Sequence, residues 1–221
     1  MNKKYIQVAI DGLAAAGKSS IALHVANILG IKYISTGKMF RCYALACKNI
    51  NYFDEKAVKK ELKCFKFQYD NQNFYLNNIN VSSDILTEII ANIASIISQY
   101  QYVRKRYRKD LKKIIKSTSI VIEGRDIGTA IIPKTPFKYY ITATASIRAK
   151  RRANQLKINK KSNQYKKILN NIRKRDYQDM TRKINPLKKP KDALLIDTSN
   201  LTIDDVVSVI INDINKKKLS N

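Results

Sequence analysis

The chain is 221 residues long and carries 43 Lys and Arg against 17 Asp and Glu, a net charge of +26. That length fits one domain with a substantial core and small insertions, and no apolar run approaches the length needed to span a bilayer. Three cysteines, Cys42, Cys47 and Cys64, are odd in number and lack C-x-x-C spacing, which argues against a disulfide framework or a zinc site and for reduced, packed thiols.

The start, "MNKK", leads directly into the apolar run "YIQVAI" (5–10), which leaves no room for a signal peptide and reads as a first strand. "GLAAAGKS" (12–19) follows and matches G-x-x-x-x-G-K-[ST] in full, with a helical pattern from Lys18 to Leu29 leading out. Gly12 and Gly17 let the backbone turn its N–H groups inward around phosphate oxygens. Lys18 would reach the outer phosphates, and the Ser19 hydroxyl would ligate Mg²⁺. An ordinary strand-to-helix turn needs neither the lysine nor the hydroxyl, so a bound nucleoside triphosphate is the better reading. His24, the one histidine, lies in the following helix, where packing or exposure accounts for it without catalysis.

Further along, short apolar runs recur: "IKYIS" (31–35), "SIVIE" (119–123), "FKYYIT" (137–142) and "ALLID" (193–197). Most are apolar on both faces, as strands of a covered parallel sheet are. Between them lie the helical patterns 37–48, 82–98, 103–116 and 146–157, and a last one, 203–217, opens on a Thr202 cap. The alternation predicts an α/β fold: a P-loop NTPase-type doubly wound parallel sheet of five strands. Two regions break the rhythm. Residues 64–81 alternate apolar and polar around Asp70-Asn-Gln-Asn73 and read as a small antiparallel insertion. Residues 154–177 read as an irregular, cation-rich helix-loop-helix.

The lysines are spread through "KAVKKELK", "RKRYRKDLKK", "QYKK" and "NKKK" and do not gather in one arm. They read as solvated helix faces with weak, salt-sensitive adsorption to polyanions, not as a specific nucleic-acid site. Three clusters carry more information: "STGKMFR" (35–41) and "EGRDIGT" (123–129) begin at predicted strand ends, and "RDYQDMTR" (175–182) closes the irregular zone. Carboxyl ends of strands face the ligand crevice in an open α/β sheet. Arg41, Arg125 and Arg182 are thereby expected to converge near the end of the triphosphate, where their planar forks suit a second phosphorylated ligand.

These stretches, with "AIDGLAAAGKSS" and "PLKKPKDALLIDTSNLTIDDVV", resemble bacterial cytidylate kinases, collinearly over nearly the whole chain. The resemblance implies ATP-dependent phosphorylation of CMP and dCMP with Mg²⁺, on a fold with an inserted nucleoside-monophosphate-binding subdomain and a helical lid. It implies one domain, with core 1–35, 102–147 and 184–221, the monophosphate-binding region 36–101, and a lid 148–183 that closes over ATP. On the same grounds Gly12, Leu13, Ala14, Ala15, Ala16, Gly17, Lys18, Ser19 and Ser20 hold ATP, and Arg41, Arg125 and Arg182 grip the CMP phosphate beside Thr36 and Phe40. Ser95, Arg104 and Asp126 correspond to cytosine-reading positions, and Arg175 and Asp179 to ribose contacts. Lys18, Arg125 and the lid cations Arg148, Arg151 and Arg152 serve the transferred group, with Glu123 behind the Ser19-bound Mg²⁺. Phe40 stands where Tyr is usual, Ser35 where Asp is frequent, Glu123 at a usual Asp position and Leu13 at a usual Pro. A cytoplasmic monomer acting on small nucleotides, without membrane or specific nucleic-acid partner, follows from this reading. A kinase for UMP or AMP on the same fold, or a basic nucleic-acid-binding P-loop protein without kinase activity, are the rival readings.

Overall fold

Apolar side chains on both faces of short strands force the sheet to be covered on both sides. The structure, a computed structural model, describes residues 5–219 except Asn71 and Lys161, so "MNKK" and one residue of the predicted 70–73 turn lie outside the described residues. Strand β1 (Gln7–Gly12) leads into helix α1 (Lys18–Leu29), and β2 (Lys32–Ser35) leads into α2 (Thr36–Ala46). Then come α3 (Glu55–Cys64), the short strands β3 (Phe67–Asp70), β4 (Asn73–Leu76) and β5 (Ile79–Asn80), α4 (Glu88–Ile97) and α5 (Gln101–Ile115). Strand β6 (Ile120–Gly124), a π turn (Ile127–Ile131), β7 (Lys138–Thr142), α6 (Ala145–Gln155), α7 (Asn163–Thr181), β8 (Leu194–Asp197) and α8 (Ile203–Leu219) complete the chain. The five-stranded sheet has the order β2-β6-β1-β7-β8, with β1 central, and the predicted doubly wound α/β fold is the one found.

The chain divides into two compact units. One holds Gln7–Ile31 and Val121–Asn221. In it β7 runs parallel to β1, with Gly12 opposite Ile141, and to β8, with Tyr139 opposite Leu194. Helix α8 packs on α1, with Ile21, Val25, Val206, Ile210 and Ile214 all buried. Thr202 caps α8 as expected: its hydroxyl accepts from Asp205 N at 3.2 Å while the Asp205 carboxylate accepts from Thr202 N at 2.9 Å, a reciprocal capping box. His24 is half exposed, 3.9 Å from Asp204.

The other unit centres on Lys32–Ile120. Its antiparallel sheet β3-β4-β5 is the predicted insertion, with Phe67 opposite Leu76 and Tyr75 opposite Asn80. An aromatic core forms where Tyr43 of α2 meets Phe65 and Phe67 at ring separations of 5.6 and 5.7 Å. The Tyr43 hydroxyl donates to buried Asp110 at 2.9 Å, and Arg106 donates to the same carboxylate at 2.8 Å.

Three expectations shift. β1 starts two residues later than the apolar run and extends through Asp11 and Gly12, because Asp11 is buried and bonded. The single helix expected over 82–98 is a 3-10 turn (Asp84–Leu86) and then α4, since the Thr87 hydroxyl accepts from Ile90 N and restarts the helix. The helix-loop-helix read over 154–177 is found as the end of α6, a loop and α7, which Ser162 caps. Cys42 and Cys47 are packed, with burial pushing both thiols up to about 12, whereas Cys64 is exposed at the end of α3.

Candidate active site

The phosphate loop hangs between β1 and α1. Leu13, at the usual proline position, packs on Tyr140, Leu187 and Ala193. Ala15 sits at φ 57° and Gly17 at φ 88°, the left-handed turns that curl the loop. Ser19 and Ser20 are exposed at the start of α1. Lys18 is buried and folds back so that Nζ donates to Leu13 O at 2.6 Å. Burial brings its pKa down to about 7, helped by the Arg125 cation, against the pull of Glu123, Asp179 and Asp11. The Ser19 hydroxyl donates to Glu123 Oε1 at 3.1 Å, so Glu123, next to last in β6, reaches the loop despite being Glu. Hard oxygen donors of this kind suit Mg²⁺, which takes one or two protein oxygens and the rest from phosphates and water.

Asp11 was not singled out by sequence reasoning. Its buried carboxylate accepts from Ile127 N at 2.9 Å and Gly128 N at 2.8 Å, closing the π turn after "GRD". Burial raises its pKa to about 6 against those two bonds, with the nearby Asp126 adding to the rise.

A second cluster lies along one face of α7, where Arg175, Asp176, Asp179 and Arg182 fall at helical spacing. Arg125 Nε donates to Asp179 Oδ2 at 2.7 Å, and Arg182 Nη1 approaches Asp179 Oδ1 at 3.4 Å. Burial alone would raise the Asp179 carboxyl; Arg125 and Arg182, with Arg175, outweigh it and hold it below the usual carboxylate range. Asp126 is buried between Arg182 Nη2 at 3.6 Å and Asn185 Nδ2 at 3.1 Å. Asn185, unremarked in the sequence, also accepts from Arg182 Nε at 2.8 Å through its carbonyl. Arg125, Asp126, Asp179 and Arg182 are thus one network.

The three α6 arginines part ways. Arg148 is buried and donates to Ala14 O inside the phosphate loop at 2.9 Å. Arg151 is held by Thr198, at 2.9 Å to its hydroxyl and 2.5 Å to its carbonyl. Arg152 reaches Gln155 at 3.5 Å.

In the other unit, Thr36 opens α2 as a buried residue, and Arg41 donates to Ile85 O at 3.0 Å. Arg104 is 2% exposed, donates to Ser98 O at 3.2 Å, and sits 5.6 Å over the Phe40 ring and 6.0 Å over that of Tyr107. Phe40, lacking the usual phenol, serves as an apolar platform for that guanidinium. Ser95 lies half-buried on α4, where its carbonyl accepts from the Ser98 hydroxyl at 3.0 Å.

Against this geometry the chain's likenesses can be set. The family model for cytidylate kinase matches residues 8–216. A Clostridium botulinum (strain Okra / Type B1) protein named cytidylate kinase is 41% identical over 213 residues, covering 96% of this chain and 98% of that one. Cytidylate kinase of Thermosipho melanesiensis is 38% identical over 211 residues, covering 96% and 97%. In three dimensions an uncharacterized protein from Eubacterium ventriosum shares the fold at a TM-score of 0.51 and 17% identity, covering 95% of this chain and 98% of that one.

Proposed function

The chain belongs to the cytidylate kinase family, and we propose that it transfers the γ-phosphoryl group of ATP to CMP and dCMP, giving CDP and dCDP. The observation that carries this reading is the family match across residues 8–216. The complete phosphate loop with its buried lysine supports it independently.

The attacking atom is a CMP phosphate oxygen, anionic at neutral pH, so the step needs no general base. Positioning and cations spread over the transferred group must do the work. We assign Gly12 to Ser20 to the ATP phosphates, through loop N–H groups other than those of Leu13 and Ala14, which Ile141 O and Asp176 hold, and Lys18, Arg125, Arg148, Arg151 and Arg152 to the charge that develops between the nucleotides. Arg151 joins only by releasing Thr198. Thr36, Phe40, Arg41, Ser95, Arg104, Arg125, Asp126, Arg175, Asp179 and Arg182 are the residues we assign to CMP. Ser19, with Glu123 behind it, would hold Mg²⁺, which, when bound, neutralises charge on the outer phosphates. Residues 36–101 are the monophosphate-binding region and 148–183 the lid on a single kinase domain. The odd, unpaired thiol count and the small-molecule chemistry support a cytoplasmic monomer without membrane or specific nucleic-acid partner. No helix among the described residues is long and apolar enough to cross a membrane.

A coupled ADP-release assay with CMP, dCMP, UMP and AMP in parallel tests the assignment. CMP and dCMP should turn over fastest; equal or faster use of UMP or AMP would overturn it. Asp126 sharpens the test. A carboxylate accepting from the cytosine amino group, beside an arginine donating to the ring nitrogen, meets mismatched polar groups in uracil. One such matched pair discriminates by about 1–3 kcal/mol. Asp126 pairs with Arg182 and accepts from Asn185 while Arg125 is held by Asp179, which supports base reading over a scaffold for Arg125. Asp126→Asn should lower kcat/KM for CMP and narrow the CMP/UMP ratio. An unchanged ratio would make Asp126 a holder of Arg182 only.

Lys18 predicts a pH dependence. In the nucleotide-free protein its pKa is about 7, and the triphosphate's negative charge must raise it on binding. Between the two values the bound state holds the extra proton, so ATP binding takes up a proton and weakens as pH rises above 7. Titration calorimetry at pH 8 in buffers of different ionisation enthalpy should show uptake approaching one proton. No uptake would mean that Lys18 is already fully charged without nucleotide.

A further inference from the structure

Both main-chain polar groups of Ala14, in the middle of the phosphate loop, are taken by one buried ion pair. Asp176 Oδ1 of α7 accepts from Ala14 N at 3.0 Å, Asp176 Oδ2 accepts from Arg148 Nη1 at 2.6 Å, and the same Nη1 donates to Ala14 O at 2.9 Å. Arg148 Nε donates to Ala143 O at 2.8 Å. We propose that Asp176 is a positioning residue for phosphoryl transfer: it locks Arg148 to the phosphate loop before ATP arrives, so that the remaining guanidinium nitrogen, Nη2, meets the transferring phosphate in a preset place. This rests on the kinase reading above.

Three observations carry it. Arg148 is 3% exposed and Asp176 9%, so the pair is out of water and its geometry is fixed by bonds, not averaged by solvent. Arg148 Nη2 hydrogen-bonds no described residue, whereas Nε and Nη1 are both engaged. By contrast, Arg151 spends both terminal nitrogens on Thr198. Arg148 is thus oriented by a carboxylate and tied to the loop. A guanidinium held in this way loses little freedom when it meets a phosphate, and its charge acts without reorganising. Asp176 acts through Arg148 and touches no substrate itself. Its neighbour one turn on, Asp179, organises the Arg125 and Arg182 side in the same manner, so α7 presents two carboxylates, each ordering its own arginines.

The test is a double-mutant cycle read in kcat and KM. Asp176→Asn keeps an oxygen for Ala14 N–H but turns an N–H₂ group toward Arg148. It should lower kcat for CMP phosphorylation by up to ~10²-fold, the scale for misplacing a reacting group by about 1 Å, with KM for ATP changed by much less. In an Arg148→Lys background, Asp176→Asn should add little further loss, since its effect runs through the arginine. Asp176→Glu, which keeps the charge but moves it, should lower kcat while leaving the melting temperature near that of wild type. Retention of kcat in Asp176→Asn and Asp176→Glu overturns the proposal, as does full multiplication of the losses in the double variant. The kinase reading is judged separately, by wild-type turnover with CMP. If that turnover is absent, the tie is still read by amide exchange of Ala14 with ATP bound: protection lost in Asp176→Ala supports it, and unchanged protection overturns it.

Discussion

Lys18→Ala should cut CMP phosphorylation by at least ~10²-fold while leaving the protein folded and its melting temperature undiminished; ~10²- to 10³-fold is the scale for deleting one electrostatic stabiliser of a transition state. Lys18 is the one full positive charge inside the phosphate loop, it is 5% exposed, and its ammonium is parked on Leu13 O at 2.6 Å. A carbonyl is a weaker partner for that charge than a triphosphate, so the lysine is stored where ATP will need it. Burial depresses its pKa to about 7, which means the folded protein disfavours the charged form that catalysis requires. Removing the group therefore relieves a cost to folding while abolishing a contribution to catalysis, the usual opposition of stability and activity at a prepared site. Lys18→Met, which keeps most of the packing, should behave in the same way. Steady-state turnover on folded variants checks the prediction; activity within tenfold of wild type would remove Lys18 from the mechanism.

How much of this the sequence makes legible depends on how local the cause is. The phosphate loop is legible because strand, turn and helix are contiguous and the turn's chemistry is written in eight residues. The inner sheet strands are legible because a doubly covered strand must be apolar on both faces; β8 also reads as a strand, although its Leu194 and Leu195 are exposed. Their ends are less so: Asp11 and Gly12 belong to β1, yet neither is a strand former. Only the bonds from Ile127 and Gly128, more than a hundred residues away, explain a buried aspartate there.

Helices reveal themselves in proportion to the apolar stripe they bury. α3 keeps only Val58 and Leu62 buried, an i, i+4 pair inside a lysine-rich stretch, and so reads as a charge run. α7 is longer still, 19 residues, but buries only Ile172 and Asp176. A helix this polar gives no periodic apolar signal, and its stability comes from its Ser162 cap and its arginine partners. The residue types at strand ends are legible in the sequence, but their pairing is not. Nothing near Asp176 in the chain says that it meets Ala14, 162 residues away. Nor does anything near Asn185 say that it meets Asp126. Arg151 shows the converse: its place in a run of three cations says nothing of Thr198.

Gly12→Ala should unfold or severely destabilise the protein, whereas Gly17→Ala, five residues on in the same motif, should leave it folded. The motif presents the two glycines as equals, and the structure separates them. Gly12 ends β1 at φ +146°, paired across the sheet with Ile141. A Cβ there would stand 1.9 Å from Ile141 O and 2.8 Å from Ile141 C, a collision with backbone that no side-chain rotation relieves. β7 would have to move off β1, breaking the bond from Leu13 N to Ile141 O at the mouth of the phosphate loop. Overpacking commonly costs about 1–3 kcal/mol, and a strained backbone of this kind adds about 1–3 more. A total near 3 kcal/mol or above lowers the melting temperature of a chain this size by about 6 °C or more. Gly17 also has positive φ, +88°, but a Cβ there meets only Ile21 Cδ1 at 3.7 Å, so backbone strain is its whole penalty. Thermal unfolding of the two variants by near-UV circular dichroism decides the matter: a Gly12→Ala protein melting within about 2 °C of wild type would show that β1 and β7 are not held as close as the sheet register requires.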